Sequence, residues 1–124
     1  MNQNKFKIAA AQAAPVFLEC DATIEKACRW IKEAGENGAK LIVFPETYIP
    51  CYPDWVWVVP NSKASLLNEL YIELVENSIT IPDKNTERLC QAAKAAKIHV
   101  AIGVNERNSE ASNASLFNTL LFID

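Results

Sequence analysis

Residues 41–44, Leu-Ile-Val-Phe, carry no polar side chain and run straight into Pro45 and Glu46 within the segment LIVFPETYIPCYPDWVW. Four apolar residues closed by a proline are too few for a helix and fit a short strand covered on both faces. Such strands usually lie parallel to their neighbours, and parallel neighbours need crossover connections, commonly helices. The segment therefore predicts an α/β layered sheet with Glu46 at the carboxyl end of a buried strand.

The flanking sequence supplies the other elements. Residues 5–13, KFKIAAAQA, read as a first strand closed by Pro15. Asp21 stands as an N-cap before ATIEKACRWIKEAGENG, where Ile24, Ala27, Cys28, Ile31 and Ala34 share one helical face and Gly35 and Gly38 supply the stop. Beyond the aromatic loop, SKASLLNELYIELVENS reads as a helix through Leu66, Leu67, Leu70, Leu74 and Val75. Residues 84–97 read as another, with Leu89, Cys90, Ala93 and Ala96 on one side. HVAIGVNER and ASLFNTLLFID read as strands joined by a polar turn around Asn108 to Asn113, short enough for an antiparallel hairpin. The chain stops at Asp124 directly after an apolar strand, as expected of a piece of a larger sheet.

Composition narrows the function classes. The 124 residues fit one domain, and half of them are apolar. Charges that sum to −3 are scattered, with no basic stripe, so a nucleic-acid partner is not expected. No apolar run approaches the ~20 residues that span a bilayer, and MNQNKFK leads into nothing like a signal-peptide core, so the expectation is a cytoplasmic protein with no membrane partner. Cys20, Cys28, Cys51 and Cys90 form no CxxC pair and His99 is the only histidine, which predicts reduced thiols and no metal site. Cys28 and Cys90, both in helical patterns, read as small core residues.

Glu46 is the residue on which chemistry would turn. Open α/β sheets place ligand crevices at the carboxyl ends of their strands. The apolar run beside Glu46 would desolvate its charged form, raising its pKa toward the range of a general base. A strand-end glutamate can also cap a turn or pair with a surface lysine, and the local pattern leaves both readings open. Cys51 lies five residues on but has no histidine or helix N-terminus to activate it, so it reads as a loop cysteine. Tyr48, Tyr52, Trp55 and Trp57 could line a pocket or pack within the fold. His99 reads as a satisfied strand residue, Lys40 as a solvated residue ahead of the strand, and Glu106 with Arg107 as a surface ion pair.

FPET after an apolar strand resembles the glutamate motif of the nitrilase, or carbon-nitrogen hydrolase, superfamily. The resemblance continues through ELYIELVENSITIP, ERLCQAAKAAKIHVAIGVNERN and SLFNTLLFID, and so covers nearly all of the chain. The loop IPCYPDWVWVVP and the string AIGVNERN are more like the branch acting on nitriles than the amidase branches, although Cys51 stands where related chains commonly have glycine. The resemblance implies an α-β-β-α sandwich, of which residues 1–124 form the N-terminal part of a single, truncated domain. It implies a Glu-Lys-Cys triad in which Glu46 is the glutamate and the lysine and cysteine fall after Asp124. The cysteine would attack a nitrile carbon to give a thioimidate, Glu46 would handle the proton, and water would release ammonia and then the carboxylic acid. Tyr52 and Trp55 are the expected substrate-binding residues, no metal or organic cofactor is expected, and the protein is expected to form homo-oligomers. The alternatives are an amidase or cyanide-converting member of the same superfamily and a catalytically inactive interaction module.

Overall fold

The computed structural model describes residues 5–108, 110, 112 and 114–124. Four strands form one mixed sheet in the order β1 (Lys7–Ala10), β2 (Ala39–Val43), β3 (His99–Arg107) and β4 (Leu116–Ile123). The first three are parallel, and β4 pairs antiparallel with β3 from Val100↔Ile123 to Arg107↔Leu116. The parallel sheet and the hairpin expected from the sequence are both present. The turn expected around Asn108 to Asn113 includes residues 109, 111 and 113, which lie outside the described residues.

Helices α1 (Cys20–Glu36) and α4 (Lys84–Ala96) cover one face of this sheet. Ile24, Ile31, Leu89 and Ala93 meet Ile42, Val100, Ile102 and Val104, all almost fully buried. Each branched side chain removed from water there contributes about 1.5–3 kcal/mol. Asp21 is not the N-cap of α1: Glu19 holds that position, and Asp21 sits in the first turn, where it accepts from Arg88 of α4 at 3.0 Å. Gly35 lies inside α1, where Ala96 of α4 closes on it, and the helix ends at Glu36, two residues before Gly38, whose φ of +79° suits glycine. The start of α4 is fixed by Asp83, which accepts from the Asn85 and Thr86 backbone N–H groups in a capping box with Thr86.

A smaller cluster of Cys51, Trp55 and Leu74 joins the loop after β2 to the helices α2 (Trp55–Val58) and α3 (Ala64–Glu76). Of the apolar face expected for α3, only Leu74 is buried. The other face of the sheet is bare: Ile8, Leu120 and Phe122 are 53%, 69% and 61% exposed. The described residues therefore cover β2 on one side only, against the two-sided burial its sequence predicts, and Val43 is exposed on the open side. Cys90 is also exposed, contrary to the core position expected for it.

Candidate active site

The β2–β3 ladder is interrupted where Glu46 stands. Val43 pairs with Ala101, and the Phe44 N–H donates to the Ala101 carbonyl at 2.8 Å. Pairing resumes at Ile49, opposite Val104, where the Asn105 N–H donates to the Ile49 carbonyl at 2.8 Å. One strand takes six steps while the other takes three, so the extra chain of Pro45–Tyr48 is thrown out of the ladder as a raised turn. Thr47 completes the turn at φ +43°, a left-handed conformation uncommon for a β-branched residue. Such conformations cluster where a site demands them.

Three residues from the hairpin hold this turn. Gly103 lies beneath it and leaves no room for a side chain. Asn105 is buried and donates through Nδ2 to the Cys51 carbonyl at 2.9 Å, tying down the chain that leaves the turn. Asn118, directly across from Asn105 on β4, donates through Nδ2 to Glu46 Oε1 at 2.5 Å. Among the described residues no cation pairs with Glu46. The buried hydroxyl of Thr47 has no hydrogen-bond partner among them either.

Glu46 is exposed, so these residues do not supply the desolvation expected from the neighbouring apolar run. The aromatics divide. Tyr48 is buried against Phe44, its ring centroid 5.2 Å away, and burial raises its hydroxyl pKa. Trp55 is 6% exposed and meets Phe17 edge to face at 5.6 Å, while Tyr52 remains 45% exposed. Packing against Phe17, Cys51 and Leu74 accounts for Trp55; Tyr52 faces solvent.

The cysteines offer no local nucleophile. Cys51 is buried, and desolvation is the main cause of its raised pKa, with the Asp54 charge adding to it and a backbone hydrogen bond from Leu18 opposing it. Its backbone does not adopt the left-handed conformation, so this position of the loop accepts a side chain without strain. The expected Glu106–Arg107 pair does not form: neighbouring strand residues point to opposite faces, and Glu106 accepts instead from Thr119 Oγ1 at 2.7 Å. His99 is exposed and stacks on Phe122 at 6.3 Å rather than being satisfied within the fold. Lys40 is exposed on β2. No group of three metal-ligating side chains occurs among the described residues, nor does any helix among them have the length and apolarity to cross a membrane.

Reading the sequence missed Gly103, Asn105 and Asn118, although each leaves a mark. Gly103 and Asn105 interrupt an otherwise apolar strand, VAIGVN, and Asn118 shares its face of β4 with Leu120 and Phe122. Polar or missing side chains on an apolar face point to a backbone or a carboxylate close above it.

Residues 7–124 match the carbon-nitrogen hydrolase family. Over 123 residues the chain is 41% identical to a nitrilase from Bacillus sp. (strain OxB-1), covering 99% of this chain and 34% of that protein. It is 39% identical over 119 residues to a cyanide hydratase from Penicillium rubens, covering 96% of this chain and 31% of that one. In three dimensions it resembles an amidase from Nesterenkonia sp. AN1 in complex with acrylamide, with a TM-score of 0.56 and 18% identity over 85% of this chain and 34% of the amidase. That likeness shows the fold. The chain spans about a third of the length of the curated relatives it matches.

Proposed function

Because this chain belongs to the carbon-nitrogen hydrolase family, we propose that it is the glutamate-bearing N-terminal portion of a nitrilase that converts a nitrile to a carboxylic acid and ammonia. The observation that carries the reading is the presentation of Glu46, which stands on a raised turn at the carboxyl end of a parallel strand, seated on Gly103 and hydrogen-bonded by Asn118. A carboxylate so placed can take a proton from an attacking group and return it to a leaving nitrogen. The nucleophilic cysteine and the lysine that stabilises developing charge would come from beyond Asp124. Tyr52, open to solvent beyond the turn, is an aromatic available to a substrate; Trp55 would act by holding the loop's shape. The whole protein is proposed to be a cytoplasmic homo-oligomer that needs no metal or organic cofactor.

A second reading draws on the cyanide hydratase likeness: addition of a single water to the carbon–nitrogen triple bond, stopping at the amide. One experiment separates the two. The reading frame is followed past codon 124, the complete protein is expressed, and acetonitrile, benzonitrile, phenylacetonitrile and cyanide are supplied in turn. Ammonia and acid from a nitrile support the nitrilase, whereas an amide without ammonia supports the hydratase. Glu46→Gln should keep the fold, since the amide oxygen still accepts from Asn118, and should lose about 10²–10⁴ in rate, the usual worth of a general base. A folded Glu46→Gln protein that keeps more than about a tenth of wild-type turnover would reduce Glu46 to a structural residue.

A further inference from the structure

We propose that Asn118 is a positioning residue for Glu46, holding carboxylate oxygen Oε1 so that Oε2 is the oxygen that takes the proton. An ionised carboxylate only accepts, so the amide atom facing it must be the Nδ2 donor. An amide N–H donating to a carboxylate oxygen is a charge-assisted hydrogen bond, stronger than one between neutral groups. Nothing about strand formation calls for asparagine here: it is disfavoured in strands, and its neighbours on that face of β4 are Leu120 and Phe122.

The surrounding restraints leave this amide a distinct task. Gly103 sets the height of the turn and Asn105 holds the chain leaving it, and both act on the backbone. The side-chain torsions of Glu46 stay free under those two restraints alone. Asn118 removes that freedom, because gripping one oxygen turns the carboxylate plane and aims the other. The pairing of Asn105 with Asn118 across β3 and β4 thus fixes the loop from one strand and the carboxylate from the next. In the proposed reaction the proton leaves the attacking thiol and arrives on Oε2, while Oε1 stays bonded to the amide.

The inference rests on the nitrilase reading for the reaction but not for the contact, so the test has two arms. In the complete protein, Asn118→Ala should lower kcat about tenfold or more, the worth of a hydrogen bond to a charged group, with KM within about twofold. Asn118→Leu, which keeps the volume but has no donor, should show the same loss of kcat and serves if the alanine variant fails to fold. The second arm needs no turnover: crystal structures should show the Glu46 carboxylate in one orientation, with Oε1 toward Asn118, in the wild type, and turned or spread over several orientations in the variants. An unchanged carboxylate orientation, or an active wild type whose variants keep its kcat, overturns the proposal. A wild type that hydrolyses no nitrile defeats the functional reading instead, and the orientation of the Glu46 carboxylate then decides the role of Asn118.

Discussion

Gly103 is the floor beneath Glu46: a Cβ added there would lie 2.8 Å from the Glu46 carbonyl carbon and 2.5 Å from both the Pro45 oxygen and the Thr47 nitrogen. All three neighbours are backbone atoms, so none can swing aside as a flexible side chain would. The height of the glutamate above the sheet is therefore set by a missing methyl group on the adjacent strand.

Gly103→Ala should damage function more than stability. Forcing a methyl group under the turn is expected to cost about 1–3 kcal/mol, the usual range for overpacking. The turn must rise or tilt, and a displacement near 1 Å can cost about 10² in rate. Thermal melting and the initial rate of ammonia release from the complete protein check this together. Near-normal turnover in a folded Gly103→Ala protein would show that the turn tolerates being lifted.

Asn105→Ala should act in the opposite proportion. The amide is buried and satisfies the Cys51 carbonyl, so its loss strands a buried acceptor at a cost of about 1–3 kcal/mol. Asn105→Asp should be no better, because a carboxylate cannot donate to a carbonyl. A denaturant titration measures the loss, and a midpoint unchanged in both variants would mean that the loop is held by other contacts.

How much of this was legible beforehand follows from the range of each interaction. The strand at 41–44, the face of α1, the helix near 84–97 and the hairpin announce themselves through local periodicity, because each buries its own apolar side chains. Glu46 was legible because Pro45 and the apolar run mark the strand end. The supports of Glu46 were not, because Gly103, Asn105 and Asn118 act more than 50 residues along the chain from the atoms they hold. The uncovered face escaped for a related reason: a run of apolar residues reports what a strand is suited to bury, not which segment buries it. Asp21 was misjudged as a cap because a helix start one turn either way offers similar local chemistry, and the Arg88 contact that occupies it comes from another helix.

Thiol chemistry separates Cys51 from Cys90. Cys90 is exposed on α4, whereas Cys51 is buried with its pKa raised chiefly by desolvation, so reagents needing an accessible thiolate should reach Cys90 first. In the folded protein, labelling followed by mass spectrometry should find Cys90 modified and Cys51 protected until denaturant is added. For the same reason the 124-residue chain alone should release no ammonia from nitriles, since its glutamate has no activated thiol beside it among the described residues. Labelling of Cys51 at the rate of Cys90, or hydrolysis abolished by Cys51→Ala, would reverse that assignment.

Cys20 should make stability fall at alkaline pH. It opens α1, where a helix N-terminus would favour the thiolate, yet burial and then the charges of Asp21 and Asp83 outweigh Arg88 and Lys84 and push its pKa from 9.0 to about 11. Below pH 9 both the folded and unfolded chains hold the proton, and this group leaves stability independent of pH. Between pH 9 and about 11 the unfolded chain releases the proton while the folded chain keeps it, so unfolding gains from every rise in pH and stability declines through that window. Cys28, Cys51 and Tyr48 are shifted upward as well and steepen the same decline, but they are present in wild type and variant alike. The contribution of Cys20 is therefore read as a difference. The stability advantage of the wild type over Cys20→Ala should be constant below pH 9 and shrink as the pH approaches 11. Thermal melts across that range decide it, and two curves that stay parallel from pH 8 to pH 11 would show that the thiol ionises as freely in the folded protein as in the unfolded chain.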